Sequence, residues 1–168
     1  NNDGLLDLMG SDMMGTTHYR EKLGMGDMEN AAWFLDYPEP RQYMRNAVYV
    51  NTGTERFLEV ANLTGLARSD WTWALKFEDL DNDGHVDLFV ANGMTRDWMN
   101  SDLRNRNRGL NIEDPRWVNT AKLKESNLAF KNLGDFHFES VGKEWGLDYL
   151  GITFGAATAD LDRDGDLD

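Results

Sequence analysis

Acidic residues at alternate positions around a glycine form the most chemically distinctive stretch of the chain, residues 79–87. The carboxylates are those of Asp79, Asp81, Asp83 and Asp87. Gly84 permits the sharp turn that a loop needs to wrap around an ion. Ca²⁺ takes about 6–8 oxygen ligands, and this loop offers its carboxylates together with the backbone carbonyl of His85. The spacing therefore predicts a calcium loop.

The same spacing occurs near both ends of the chain. The later copy comprises Asp160, Asp162, Asp164, Asp166 and Asp168. The first copy is shorter and comprises Asn1, Asp3, Leu5 and Asp7. Leu5 and Asp166 stand where His85 stands, so each completes a candidate ligand set. An acidic surface turn would explain one copy, but three copies in register predict a repeated calcium site.

An EF-hand is the obvious alternative, because its loop begins with the same pattern. That loop needs a bidentate Glu at its twelfth position and a helix on each side. The twelfth position here is Val90. Apolar residues alternate before the loop, from Trp71 to Phe77, and again after it, from Val86 to Val90. This period of two predicts a strand on each side of the loop. Trp71 and Trp73 share the alternation with Leu75, so we expect both to lie in the core.

Composition limits the class of protein. With 168 residues, 40% of them hydrophobic, the chain has the size of one globular domain. The net charge is -13, and eleven of the 30 acidic residues lie in the three loops. Nucleic-acid binding is disfavoured because it needs a basic face. The absence of cysteine excludes disulfides and thiolate metal sites, and the short apolar runs predict no membrane insertion.

Two copies of one design follow each other along the chain. Residues 46–93 predict four strands, 47–50, 57–61, 72–78 and 86–91. A shift of 81 residues places Asn51 on Asn132 and Asp79 on Asp160. The predicted organisation is the end of a preceding blade at 1–9, an insertion at 10–45, a blade at 46–93 with its calcium loop at 79–87, a second insertion at 94–126, and a second blade at 127–168 truncated in its calcium loop.

Each insertion predicts a helix. In the first, Thr16 or Thr17 can cap a short helix that continues to Leu23. In the second, Asp114 and the following proline form a helix start, with an apolar stripe extending to Ser126. That stripe consists of Trp117, Ala121 and Leu123.

A basic cluster precedes this second helix. It consists of Arg104, Arg106 and Arg108, which alternate with asparagines. The cluster could bind a sulfated or carboxylated sugar or an acidic protein. Alternatively, it is a solvated segment of an acidic protein, and the sequence leaves both interpretations open.

The two copies share the pattern Asn-x-Gly-x-x-x-Phe-x-x-Val, then Gly-Leu, an aromatic strand and Asp-Leu-Asp-x-Asp-Gly-x-x-Asp-Leu. This resembles the FG-GAP/VCBS repeat of integrin α-subunit propellers and, more closely, bacterial relatives of cartilage acidic protein. The resemblance covers 46–93 and 127–168. It implies a four-stranded propeller blade with Ca²⁺ in the loop between two of its strands. The implied ligands are Asp79, Asp81, Asp83 and Asp87, then Asp160, Asp162, Asp164 and Asp168, with Asn1, Asp3 and Asp7 from another loop.

The expected fold class is all-β with helical insertions, forming part of a β-propeller with about two four-stranded blades plus calcium loops. A sheet with two apolar faces must stack on neighbours, and two blades cannot close a ring. We therefore expect the remaining blades to come from a longer chain. Members of the family are typically exported, so the resemblance also implies a secreted, periplasmic or cell-surface protein.

The sequence contains no convergent catalytic motif, and its three histidines are isolated. We therefore expect no enzyme activity and a calcium-stabilised extracellular module that recognises a protein or glycan ligand. The alternative is the propeller portion of a carbohydrate-active enzyme whose catalytic groups lie outside this chain.

The insertions are expected to carry recognition. Both leave the repeat directly after the strand that follows a calcium loop, so they should share one rim, opposite the loops. In the competing view the insertions only pack against each other, with Trp33, Trp98 and Trp117 buried between them.

Overall fold

The structure is a computed structural model and describes residues 1–25, 43–97, 100–106 and 114–168. Strands dominate these ranges, and the helices lie only in the two insertions. The elements in chain order are β1 (Leu8–Gly10), α1 (His18–Met25), β2 (Ala47–Asn51), β3 (Phe57–Glu59), β4 (Thr72–Glu78), β5 (Asp87–Asn92), α2 (Ser101–Arg106), a 3₁₀ helix (Pro115–Asn119), β6 (Glu125–Ser126), β7 (Leu128–Asn132), β8 (Phe138–Ser140) and β9 (Leu150–Gly151).

The strands form antiparallel sheets of the size expected for propeller blades. One sheet has the order β1-β2-β3, and a second has the order β4-β5-β7-β8. A short pair, β6-β9, completes the described sheets. The predicted fold class, all-β with helical insertions as part of a propeller, is confirmed. Within the described ranges, no helix combines the length and the apolar character needed to cross a membrane.

The strands are grouped differently from the prediction, which placed all four strands of 46–93 in one blade. The first two, β2 and β3, pair with β1, whereas β4 and β5 pair with β7 and β8. The predicted second blade is divided in the same way, because β7 and β8 complete the sheet that β4 begins. The physical reason is the turn at residues 61–67, whose Leu66 is buried in the core and leads the chain away from β3.

The core lies between the two larger sheets. Leu66, Leu88 and Val90 are buried at its centre. The first sheet contributes Met9 and Val48 to this core, and the second contributes Leu75, Leu128, Phe130 and Phe138. Alternate residues of β5 thus face the neighbouring sheet, and the stacking holds the hairpin that carries the acidic loop at 79–87.

Trp73 was expected to share the buried face of β4 with Leu75, and this expectation is wrong. The register of β4 on β5 shifts between Thr72 and Ala74, so a bulge interrupts the alternation at Trp73. The Trp73 side chain is 45% exposed and makes an edge-to-face contact with Phe154 at 5.2 Å. Its indole nitrogen donates a hydrogen bond to the backbone carbonyl of Gly93.

The helix predictions were partly correct. Helix α1 begins at His18, and the Thr17 hydroxyl accepts a hydrogen bond from the Arg20 amide at 3.3 Å, as a cap does. The helix predicted from Asp114 to Ser126 is only the short 3₁₀ helix. It ends at Asn119 because Leu123 forms a backbone bridge with Met94 and the following residues enter β6.

Leu88→Ala tests the packing between the sheets. Leu88 has no exposed surface, so truncation should lower the free energy of unfolding by about 2–5 kcal/mol. Leu63→Ala is the matched control, because Leu63 is 68% exposed and should change stability by under about 0.5 kcal/mol. Urea denaturation of the full chain measures both. Equal losses would contradict the assignment of Leu88 to the core.

Candidate metal centre

The loop between β4 and β5 is closed by its own backbone amides. The Asp79 carboxylate accepts hydrogen bonds from the amides of Asp83 at 3.0 Å and Gly84 at 2.9 Å. The His85 amide donates to Asp83 Oδ1 at 2.9 Å. These bonds fold the loop so that its acidic side chains converge. Gly84 has a φ of 88°, a left-handed conformation that glycine adopts without a steric penalty.

Asp87 fixes both ends of this loop to the sheet. Its side chain is fully buried and accepts hydrogen bonds from the Leu80 amide at 3.1 Å and the Asn132 amide at 2.8 Å. Asn132 lies at the end of β7, and its side-chain amide also donates to the carbonyl of Val86 at 3.0 Å. The Asn132 side-chain oxygen accepts from the Gly134 amide at 3.0 Å. One asparagine therefore joins the acidic loop at 79–87 to the turn between β7 and β8.

The first repeat contains the same anchor. The Asn51 amide donates to Asp7 Oδ1 at 2.8 Å, and the Asn51 side chain donates to the carbonyl of Leu6 at 3.3 Å. Its side-chain oxygen accepts from Gly53 at 3.0 Å. The sequence identified these asparagines only as matching positions of the two repeats. Their recurrence before glycine in both repeats was the signal that could have identified them as anchors.

The three acidic loops share one backbone conformation. The glycine of each loop has a positive φ, with Gly4 at 84°, Gly84 at 88° and Gly165 at 100°. Asn2, Asn82 and Arg163, each two residues before that glycine, also have positive φ, at 62°, 58° and 68°. A left-handed arginine is unusual, so the loop geometry overrides the residue's own preference there. The Asn2 side chain donates to the carbonyl of Gly84 at 2.9 Å, so the first two loops are adjacent.

Two of the loops bring carboxylate oxygens close enough to share a cation. Oxygens of Asp79, Asp81 and Asp87 all lie within 4.8 Å of one another, and so do those of Asp160, Asp162 and Asp168. Asp164 and Asp166 lie in the same loop, where the Asp166 amide donates to Asp164 Oδ1 at 3.2 Å. In the first loop, Asp3 Oδ1 accepts from the Leu5 amide at 2.8 Å and Asp3 Oδ2 from the Asn1 side chain at 2.9 Å.

A lysine that no sequence motif indicated contacts the middle acidic loop, residues 79–87. The Lys131 ammonium on β7 is hydrogen-bonded to the Asp81 carboxylate and lies 2.9 Å from Asp83 Oδ2. Lysine therefore occupies a position between two predicted ligands. Asp83 lies outside the convergent group of Asp79, Asp81 and Asp87, although the sequence predicted all four as ligands.

The electrostatics of the middle loop favour a bound cation. Burial raises the pKa of Asp87, and the nearby charges of Asp81 and Asp83 raise it further against the two backbone hydrogen bonds. By contrast, the hydrogen bond from Lys131 lowers the pKa of Asp83. A cation near the trio would relieve the repulsion that Asp87 experiences. The donors are all hard carboxylate or carbonyl oxygens, which fit Ca²⁺ in chemical type.

The insertions begin at the opposite end of the sheets from these loops, because β1 and β5 leave their loops and run to the far rim. There α1 contacts α2, which is consistent with the expected shared rim and also with the competing view that the insertions pack against each other. The side chains of Arg104, Arg106 and Trp117, and the whole of Trp33, Trp98 and Arg108, lie outside the described residues. The structure thus neither supports nor contradicts a role for these groups in binding or packing.

A partly buried ionic cluster joins the first insertion to the sheet rim. Arg20 Nη1 lies 2.6 Å from Asp70 Oδ2 and 3.2 Å from Glu125 Oε1. The Thr16 amide and hydroxyl donate to the same Asp70 carboxylate, and the Trp71 amide donates to Glu125 Oε2 at 3.0 Å. Both carboxylates are buried, but one guanidinium serves them both. Burial and the charge of Asp70 raise the pKa of Glu125 to about 7.

Comparison with known families gives one match. Residues 1–90 match the FG-GAP-like repeat, which is more than half of the 168 residues. Neither the curated proteins nor the solved structures include a match to this chain. The matched range includes the first two acidic loops, the first insertion and most of β5.

Glu125→Gln should change how stability depends on pH. The pKa of Glu125 rises from the ordinary glutamate value of 4.5 in the unfolded chain to about 7 in the folded chain. Protonation of Glu125 therefore favours the folded state. This contribution is fully present below about pH 4.5 and is lost as the pH rises through about 7, by up to about 3 kcal/mol. Urea denaturation between about pH 5 and pH 8 should show a shallower fall in the variant.

Glu59→Gln is the matched control for this experiment. The hydrogen bond from Arg45 lowers the pKa of Glu59 to about 2, so this group stays ionised throughout the window. The control should therefore keep the pH slope of the unmodified chain. An unchanged slope in Glu125→Gln would contradict the assigned protonation.

Proposed function

The chain belongs to the FG-GAP-like repeat family, and we propose that it works as a calcium-stabilised β-propeller module for extracellular recognition. The observation that carries the proposal is the shared loop conformation. Three loops have positive φ at the same two positions, and two of them gather three carboxylates within 4.8 Å. Ordinary acidic turns have no reason to repeat this arrangement.

The proposed role of calcium is structural. In the middle loop, Asp79, Asp81, Asp83, Asp87 and the carbonyl of His85 would hold the ion. In the last loop, the set would be Asp160, Asp162, Asp164, Asp168 and the carbonyl of Asp166. The ion would supply positive charge that offsets carboxylate repulsion, most of all at buried Asp87. Because Asp87 also bonds Asn132 on β7, stabilising this carboxylate stabilises the sheet.

Calcium should raise the melting temperature of the full chain. Sites in extracellular modules have affinities on the order of 10⁻⁴ to 10⁻³ M, so about 10 mM Ca²⁺ should add about 1.4 kcal/mol or more per site. Asp81→Asn should reduce this calcium-dependent gain, because it removes the charge of one proposed ligand. The substitution disturbs no backbone hydrogen bond of the Asp81 side chain within the described residues. Differential scanning calorimetry in chelator and in Ca²⁺ measures both effects.

Two controls separate calcium binding from general charge effects. Asp135→Asn removes one exposed negative charge in the β7–β8 turn and should leave the calcium-dependent gain unchanged. Mg²⁺ at the same concentration controls for ionic strength, because its strict octahedral demand suits these loops less well. Equal melting temperatures in chelator and in Ca²⁺ would refute the calcium assignment.

We further propose that recognition resides on the rim that carries the insertions, while the blades serve as the scaffold. Two observations support this division: both insertions lie on that rim, where α1 contacts α2, and Arg20 ties the first insertion to the buried carboxylate of Asp70 on the scaffold. Loops held on a rigid scaffold are common binding sites. The proposed partners are an extracellular protein or glycan and further blades. The proposed location is secreted, periplasmic or cell-surface, and the proposed module is not an enzyme.

Replacing Arg104, Arg106 and Arg108 together by alanine tests this assignment on a sulfated glycan. The unmodified chain should be retained on immobilised heparin in moderate salt, and the triple variant should elute earlier because charged contacts are lost. The matched control removes Arg56, Lys76 and Lys143, three cationic residues outside the insertions. Identical elution of all three proteins would leave this insertion without a glycan-binding role.

A further inference from the structure

Lys131 connects the middle acidic loop to a strand outside its own hairpin. The lysine lies on β7, where Glu139 of β8 is its neighbour in the backbone register of the two strands. Its ammonium group contacts the carboxylates of Asp81 and Asp83, the latter at 2.9 Å. Of the four acidic side chains in this loop, these two are therefore shared with a cation that the chain itself supplies.

This contact is a departure from the repeat. The shift of 81 residues that aligns the two copies places Val50, a buried apolar residue of β2, at the position of Lys131. Among the described residues, no lysine or arginine makes an ion pair with a carboxylate of the loop at 160–168. Lys131 thus has no cationic counterpart at the matching position of the first repeat, although the loops have left-handed residues at the same two positions.

We propose that Lys131 acts as a built-in counter-ion that lowers the calcium affinity of the loop at 79–87 and keeps that loop folded when calcium is scarce. The inference rests on the proposed function, because it assumes that the loop binds Ca²⁺. A divalent ion bound by Asp81 and Asp83 must compete with the ammonium for the same oxygens. The ammonium would also repel the ion, since like charges a few ångströms apart interact strongly.

The same contacts have the opposite effect at low calcium. Asp79, Asp81 and Asp87 converge within 4.8 Å, and without a compensating charge they repel one another. Lys131 offsets part of that repulsion through Asp81. The lysine should therefore narrow the difference in stability between calcium-free and calcium-loaded protein. A residue with only a packing role would affect both states equally.

Two glycine amides can report calcium binding separately, one for the middle loop at 79–87 and one for the last loop at 160–168. The Gly84 amide donates to Asp79 Oδ2 at 2.9 Å, and the Gly165 amide donates to Asp160 Oδ2 at 3.2 Å. Their NMR resonances should each respond when calcium binds the adjacent carboxylate. Titrating the full chain with CaCl₂ thus yields one midpoint for the middle loop and one for the last loop, which serves as an internal reference.

Lys131→Met should lower the calcium midpoint at Gly84 by roughly three- to tenfold, the range for partly solvated charge-assisted contacts. The midpoint at Gly165 should not change. Lys131→Arg keeps the charge and should keep the original midpoint. Lys143→Met is the matched control, because it removes a positive charge from an exposed turn and should leave both midpoints unchanged. In chelator, Lys131→Met should also have a lower melting temperature than the unmodified chain. In about 10 mM Ca²⁺ the difference in melting temperature between the two proteins should be smaller.

The outcomes separate the two proposals. If Gly84 has the same midpoint in the unmodified chain and in Lys131→Met, or is silent in both while Gly165 responds, the counter-ion role is overturned but calcium binding stands. If neither glycine responds to about 10 mM Ca²⁺ in any protein, both proposals fail. Should Lys131→Met not fold, Lys131→Gln replaces it under the same criteria.

Discussion

The buried carboxylate of Asp87 is the interaction on which the local structure depends. Burying a charge is costly unless hydrogen bonds and an opposite charge compensate for it. Here the amides of Leu80 and Asn132 supply the hydrogen bonds, one from the acidic loop and one from β7. A single side chain therefore couples closure of the loop to pairing of the strands. Asp7 accepts the equivalent bond from Asn51, so the first repeat depends on the same device.

The sequence predicted what short-range chemistry determines. The strand Thr72–Glu78 has the predicted bounds, and the Thr17 cap and the three acidic loops were also identified. Spacing and alternation are sufficient there because each feature depends on residues close in the chain. The ligand set was predicted as a group, and the structure brings Asp79, Asp81 and Asp87 together.

Features that depend on distant residues were missed. Asn132 contacts Asp87 across 45 positions, and Lys131 contacts Asp81 across 50. The alternation before the loop predicted a buried Trp73, but the bulge that exposes it depends on how β4 meets β5. The cluster of Arg20, Asp70 and Glu125 combines residues that have no common motif and no counterpart at the repeat spacing. Such contacts depend on how the sheets and insertions pack together, and a local sequence pattern cannot predict that packing.

The sheets and the sequence repeat are out of phase, and this offset interlocks the repeats. Each larger sheet is assembled from the end of one repeat unit and the beginning of the next, as β4 and β5 pair with β7 and β8. A chain divided after Gly93, where the sequence unit ends, would leave β5 as an edge strand with unpaired backbone groups. The turn at 61–67, between β3 and β4, is instead the point where no sheet is cut. The units of duplication and the units of folding therefore have different boundaries in this protein.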